Sequence, residues 1–326
     1  MIEVKGLTKV YGKNIALNNV SFEINDGEIV GLLGPNGAGK TTTMNIITGY
    51  LSCTSGSVTV DEFDVFENPK EVKKLIGYLP ENPPLYMEMT VWDYLSFVYD
   101  LKKAQQPKEE HLNEILETVK ITDVKNRLIK NLSKGYKQRI GMAQALVGDP
   151  KILIFDEPTV GLDPRQINEI RDVIKNLGKT KTVILSSHIL SEISSVCEKI
   201  IVINKGQIVA NDSLSNVLNV VSNKNRLNLL IEGDKDKVLP ALDEIEGVAE
   251  VVVVNANEQM GRYVAKTNGA LTVQRDIFNT MAQLGCPILV MEKKTLSLEE
   301  VFLKITEKPQ IKAEPTEEVE QNDSDI

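Results

Sequence analysis

The sequence predicts an α/β nucleotide-binding fold followed by a smaller α+β unit, and three observations carry that expectation. Gly34-Pro35-Asn36-Gly37-Ala38-Gly39-Lys40-Thr41-Thr42 contains the G-x-x-x-x-G-K-[ST] spacing of a phosphate-binding loop, directly after the apolar residues 29–33. Residues 151–155 and 182–185 are continuous apolar runs, as in parallel strands buried on both faces. From Arg226 onward the pattern reads strand-helix-strand twice over, a ferredoxin-like layout.

Taken in order, residues 2–4, 17–24 and 29–33 read as strands, divided by turns at Tyr11-Gly12 and Asn25-Asp26-Gly27. A helix follows the phosphate loop, then a short strand at 57–60, a short helix at 70–75 and a strand at 76–79. After Asn82-Pro83-Pro84 the period becomes helical over 90–101 and 108–119, with Thr90 as an N-cap and Pro107 opening the second helix. Residues of about 82–131 form a helical insert. Helices are expected at 138–147, 166–177 and 188–196, and a hairpin at 200–204 and 207–210 across Lys205-Gly206. The domain division is 1–215, a linker at 216–225, an accessory unit at 226–305, and an acidic tail at 306–326. A last helix is expected at 297–305. The tail carries no apolar periodicity, so disorder is expected there.

Composition narrows the classes. A length of 326 residues accommodates two cores, and a net charge of −9 argues against a nucleic-acid partner, which calls for a basic footprint. No apolar stretch is long enough to span a bilayer, and the N-terminal residues lack a signal peptide's apolar run, so a cytoplasmic location is expected. Cys53, Cys197 and Cys286 are too scattered for a disulfide framework or a metal site.

The chemistry begins at the loop. Backbone N–H groups of a glycine-rich turn and of the following helix point at an anion; Lys40 reaches the β/γ-phosphates and the Thr41 hydroxyl holds Mg²⁺. The apolar strand 151–155 ends in Asp156-Glu157. Asp156 is a second Mg²⁺ ligand and Glu157 a general base for the attacking water, or the pair is an ordinary solvated strand end. Ser133-Lys134-Gly135 is either an N-cap or a phosphate grip at a helix start. Gly161-Leu162-Asp163 could be only a turn and cap, and Tyr11 only a hairpin tyrosine. His188 stands level with Glu157 if their strands are neighbours. His111 is given no role.

Together these motifs resemble the ATP-binding subunit of an ABC transporter, over residues of about 1–215. The resemblance implies a P-loop nucleoside triphosphatase of ABC type, with an antiparallel β subdomain and a helical subdomain. Its cofactors are ATP and Mg²⁺. It implies that Tyr11 stacks on adenine and that 34–42 hold the phosphates. It further implies that a homodimer, or a heterodimer with a homologous ATPase, sandwiches ATP between one subunit's loop and the other's Ser133 and Gly135. Asp163 would link the two sites, Glu157 activate water and His188 contact the γ-phosphate.

Two departures matter. The usual Leu-Ser-Gly-Gly-Gln signature is here Leu132-Ser133-Lys134-Gly135-Tyr136, and the usual glutamine of the Mg²⁺-sensing loop is replaced in Tyr78-Leu79-Pro80-Glu81 by Glu81, which can reach a metal or water. These variants and the extension at 226–305 resemble ATPases of ABC-2-type exporters, in the multidrug, sodium and gliding-motility-like group. That implies a separately encoded transmembrane permease as partner, the cytoplasmic face of the membrane as location, and 82–101 as the permease-facing surface. The rival is a soluble non-transport ABC ATPase acting as a dimerisation switch. Against it stand a single cassette with an acidic extension and the absence of a long heptad run.

Overall fold

A computed structural model describes residues 1–221, 226–257, 259–293, 300, 302 and 303. The chain divides into two compact units, Met1–Leu214 and a second beginning at Ser215.

The first unit holds two sheets. β1 (Ile2–Tyr11) and β2 (Asn14–Ile24) form a long hairpin, and β4 (Ser55–Val60) and β5 (Phe63–Asp64) extend it into an antiparallel sheet of order β2-β1-β4-β5. Alternation builds this sheet: Ile2, Val4 and Leu7 of β1 and Val58 and Val60 of β4 are buried on one face. β1 and β2 run further than their apolar runs indicate, because register shifts after Val4 and Leu7 let polar stretches keep pairing.

The central sheet collects β3 (Ile29–Leu33), β6 (Ile76–Leu79), β7 (Ile152–Phe155), β8 (Thr182–Ser187), β9 (Lys199–Asn204) and β10 (Gln207–Ser213) in the order β10-β9-β3-β8-β7-β6. Its strands are parallel except β10, which returns antiparallel beside β9. All four residues of β7 and all six of β8 are buried, which explains their lack of polar alternation. Helices α1 (Lys40–Ile47), α2 (Pro69–Leu75), α5 (Lys134–Leu146), α6 (Pro164–Leu177) and α7 (Leu190–Ser194) connect these strands.

The insert is helical as expected. α3 (Val91–Lys102) is capped by Thr90, whose Oγ1 accepts from Asp93 N at 3.1 Å, and α4 (Lys108–Thr118) starts after Pro107. Lys102 Nζ donates to the carbonyls of Gln144, Ala145 and Val147 at 3.1, 3.4 and 2.9 Å, tying α3 to the carboxyl end of α5. α5 starts four residues before the 138–147 expected, because Ser133 caps it and Lys134 to Lys137 form its first turn.

In the second unit, β11 (Arg226–Glu232), α9 (Lys235–Asp243), β12 (Val248–Ala256), β13 (Met260–Thr267), α10 (Leu271–Gln283) and β14 (Ile288–Lys293) follow α8 (Leu214–Val221). The antiparallel sheet order β12-β13-β11-β14 is the split β-α-β arrangement of a ferredoxin-like fold. Leu229, Ile231 and Tyr263 of the sheet pack with Val238 and Leu242 of α9 and with Ile277 and Met281 of α10. Residues 216–221 of the linker expected at 216–225 are instead helical, in α8, where Leu214, Val217, Leu218 and Val221 recur at helical spacing in the sequence; residues 222–225 lie outside the described residues. The helix expected at 297–305 lies largely outside the described residues, as does the whole of 306–326.

Candidate functional site

All five parallel strands end on the same side of the central sheet, and each delivers one piece of the site there. β3 ends in the loop 34–39, β8 in His188, β7 in Asp156-Glu157, β6 runs on to Glu81, and β9 turns at Lys205-Gly206. Of these, Glu81, Glu157, His188, Lys205 and Gly206 line a cleft of ≈ 570 Å³ together with Asn14, Ile15 and Ala16 of β2, the loop residues Asn36, Gly37 and Gly39, and Lys40, Thr41 and Thr42 of α1, whereas Gly34, Pro35, Ala38 and Asp156 are not part of its lining.

The loop is shaped by its glycines. Gly39 has φ 113°, and a Cβ there would meet Leu17 at 2.7 Å and the Ala16 carbonyl at 2.9 Å. Gly34 lies so close to β9 that a Cβ would come within 2.3 Å of the Ile203 carbonyl. Pro35 O accepts from Ala38 N at 3.1 Å, and Ala38 O accepts from Gly206 N at 2.9 Å, so the β9–β10 turn braces the loop from below. Lys40 is buried; its Nζ donates to Gly34 O at 2.8 Å and Pro35 O at 3.4 Å, and lies 3.4 Å from Glu157 Oε1. The ammonium is thus held inside the loop, facing the carboxylate across the cleft.

Glu157 is 7% exposed and takes a positive φ of 48°, which costs a non-glycine residue about 1 kcal/mol or more. Two contacts hold it there: its N–H donates to Ser186 Oγ at 2.8 Å, and its Oε2 lies 3.0 Å from His188 Nδ1. An ionised carboxylate only accepts, so with Glu157 charged His188 carries its proton on Nδ1. β7 and β8 are neighbours, so Glu157 and His188 are level as expected. Asp156 sits between β6 and β8, its N–H donating to Leu79 O at 2.9 Å and its Oδ1 accepting from Ser186 Oγ at 2.6 Å. Nearby, Tyr78 donates to Asn45 Oδ1 at 3.1 Å; burial, and secondarily the Asp156 charge, pushes its phenol well above the usual range, so it stays a neutral donor.

The donor set fits a hard divalent cation. Asp156 is 1% exposed, and its Oδ2 is a buried oxygen without a hydrogen-bond partner. Thr41 and Glu81 line the cleft, and Asp156 directly precedes Glu157, which lines it too. Among the described residues no group of three His, Cys, Asp or Glu could hold a metal alone, so a cation here would rely on phosphate oxygens for the rest of its shell, as Mg²⁺ commonly does.

Other expected site residues lie elsewhere. Tyr11 pairs with Asn14 across the β1–β2 hairpin, but its own ring is not part of the cleft lining; it is 47% exposed with Lys9 Nζ 5.1 Å above it. Ser133 is at the start of α5, where Oγ accepts from Tyr136 N at 3.5 Å, and Asp163 caps α6 by accepting from Gln166 N at 2.9 Å. Gly135 packs against α6, where a Cβ would meet Gln166 at 2.8 Å. None of Ser133, Gly135 and Asp163 lines the cleft of their own subunit. They are near one another, because Lys134 Nζ lies over the Gly161 turn, 2.3 Å from where a Cβ at Gly161 would be.

Sequence reasoning missed Ser186, which organises both acidic residues, and the second wall of the cleft formed by Asn14 to Ala16, Lys205 and Gly206. A hydroxyl pair, Ser186-Ser187, closing a buried strand was the available signal for the first; the second has none, since it depends on the first hairpin folding over the loop.

A family model described as ABC transporter matches residues 17–160. The chain is 34% identical to the uncharacterized ABC transporter ATP-binding protein YxlF of Bacillus subtilis over 94% of this chain and 99% of that one. It is 31% identical to the bacitracin transport ATP-binding protein BcrA of Bacillus licheniformis over 94% and 97% of the two chains. An ATP-binding cassette solved as a dimer in a post-hydrolysis state with ADP and Pi superposes with a TM-score of 0.61 at 27% identity, over 66% of this chain and 99% of that one. With near-complete coverage at this identity, and with the loop, acidic strand end and histidine converging on one cleft, the chain belongs to the family of ABC transporter ATP-binding proteins.

Proposed function

We propose that this ATP-binding protein hydrolyses ATP to drive export through a separately encoded ABC-2-type membrane permease. The observation that carries the reading is the contact chain Lys40–Glu157–His188 inside the cleft, with Ser133, Gly135 and Asp163 outside it. One subunit then holds the phosphates and the base, and lacks the second grip. A dimer supplies it: α5 of one subunit, beginning at Ser133, meets the phosphates bound by residues 34–42 of the other. ATP joins the two subunits, and hydrolysis removes the phosphate both sides contact.

Within each site Lys40 faces the β/γ-phosphates, Glu157 takes a proton from the attacking water, and His188 orients the Glu157 carboxylate and reaches the γ-phosphate. Thr41, Asp156 and Glu81 would hold Mg²⁺, which neutralises charge on the transferring phosphate. The export assignment is supported by relatives named for antibiotic resistance or transport, among them the linearmycin resistance ATP-binding protein of Bacillus subtilis, 34% identical over 78% of this chain, and the bacitracin transport relative. Among the described residues no helix is long and apolar enough to cross a membrane. The proposed docking face is the insert, where Tyr86, 54% exposed, stacks edge-on with Tyr94 and Phe97 beside exposed Met87.

The test is Glu157→Gln. Loss of the general base lowers ATP turnover by about 100-fold or more while ATP binding persists. Gel filtration with ATP and Mg²⁺ then shows an accumulated dimer. Turnover at the parental rate would remove Glu157 from the chemistry.

A further inference from the structure

The segments that carry Glu157 and His188 are joined a second time, outside the cleft lining. Glu192, on α7, is 8% exposed, and its Oε2 accepts two hydrogen bonds, from Thr159 Oγ1 at 2.6 Å and from Ser187 Oγ at 2.9 Å. Ser187 Oγ in turn accepts from Ile189 N at 3.0 Å. Thr159 is also buried, at 6% exposure, and Ser187 at 1%. By accepting from both hydroxyls, the carboxylate oxygen fixes both rotors. Thr159 lies two residues after Glu157, and Ser187 immediately precedes His188. One buried oxygen therefore ties together the two backbone segments whose side chains meet at 3.0 Å in the cleft.

The tie is placed where it is needed. Glu157 holds a left-handed backbone conformation, which persists only when the surroundings over-determine it. Ser186 restrains the residue from its N–H side, and Glu192, through Thr159, restrains the turn that follows. None of the described hydrogen bonds of the Glu192 carboxylate reaches residues 34–42. Its influence falls on the geometry of base and histidine rather than on the phosphate cradle.

We infer that Glu192 is a positioning residue for ATP hydrolysis, locking the turn after Glu157 to the strand end before His188 so that carboxylate and imidazole keep a single relative placement. The inference rests on the proposed roles of Glu157 and His188. It is tested on the full chain by steady-state ATP hydrolysis, equilibrium binding of a fluorescent ATP analogue, and thermal melting. The variants are Glu192→Ala, Glu192→Gln, Thr159→Val, and the Glu192→Ala/Thr159→Val pair.

Misplacement of a catalytic group by an ångström costs on the order of 100-fold in rate, so Glu192→Ala is expected to lower kcat by about 10- to 100-fold. Loss confined to the chemical step leaves KM and analogue affinity within about 2-fold. Glu192→Gln, whose amide oxygen still accepts, recovers a large part of the loss. Thr159→Val reproduces the defect, and the pair is no worse than Glu192→Ala, because both remove the same tie.

Unchanged kcat in Glu192→Ala and Thr159→Val would overturn the inference. So would a kcat loss that tracks analogue affinity and melting temperature, or effects that multiply in the pair. Thr159→Val is nearly isosteric and tests the tie even if Glu192→Ala does not fold. Glu157→Gln is the reference. If it turns over at the parental rate, the functional reading itself fails; if it is inactive while the Glu192 and Thr159 variants are normal, only the positioning role fails.

Discussion

At His111 a buried imidazole does structural work that its sequence context does not announce. Its Nε2 accepts from Gly148 N at 3.1 Å, joining α4 to the turn after α5, and the residue is 8% exposed. Burial, the largest cause, lowers its pKa from the ordinary 6.5; the Lys181 and Lys102 charges act the same way, and Asp149 and Glu114 oppose it. The unfolded chain therefore binds this proton at higher pH than the folded one. The stabilising contribution is complete above about 6.5 and is lost as pH falls through 6.5 toward the lower folded value. Thermal melting from pH 7.5 to pH 5 should show a steeper loss in the parent than in His111→Gln, whose amide oxygen can keep the Gly148 contact without titrating. Equal slopes would show that His111 is not a source of the acid sensitivity. At the same scale, Lys40 and Glu157 are a buried ion pair, and removing either partner strands the other, so substitutions there disturb stability as well as chemistry.

At the scale of the element, the Ser133 cap of α5 and its proposed second role make separable predictions. As a cap, Ser133 Oγ accepts from Tyr136 N at the long distance of 3.5 Å, so Ser133→Ala should cost only about 0.5 kcal/mol, the low end for N-caps. In the proposed role, as a grip on a partner's phosphate, it would make a charge-assisted hydrogen bond, and its loss should lower ATP turnover by about 10-fold, the equivalent of 1.4 kcal/mol. Urea unfolding and ATPase rates on the same variant separate the two. A rate loss no larger than the stability loss would leave Ser133 as a cap alone. Much of this was legible beforehand: the Thr90 cap, the Pro107 start and the buried strands β7 and β8 follow from local pattern. The start of α5 and the helix α8 did not, because a glycine in the first turn of one and polar neighbours in the other masked the period.

For the whole molecule, the second unit presents its own question. Its ferredoxin-like sheet leaves Val252 and Val254 of β12 and Leu289 and Val290 of β14 at 50, 62, 49 and 40% exposure. We propose that this unit strengthens the ATP-dependent dimer. Cassettes that correspond to only 66% of this chain have been solved as folded dimers, so a chain truncated before Arg226 is a reasonable comparison. Its ATP-dependent dimerisation in a Glu157→Gln background, measured by analytical ultracentrifugation, should be weaker by about 10-fold, or 1.4 kcal/mol. Unchanged dimer affinity would assign the unit another task.

Motifs confined to single short segments were legible from local spacing alone. The loop 34–42, the acidic end of β7 and the histidine after β8 could each be read because a phosphate cradle and a strand terminus are built from consecutive residues. Which of them meet depends on how the strands pair. Parallel pairing of β7 with β8 brings Glu157 to His188, Ser186 to Asp156 and Thr159 to Glu192, partners 30 or more residues apart along the chain. Folding of the first hairpin over the loop supplies the far wall of the cleft, and the same fold keeps Ser133 and Asp163 out of it. Local spacing encodes what a segment can bind; strand order and register set which groups share a site.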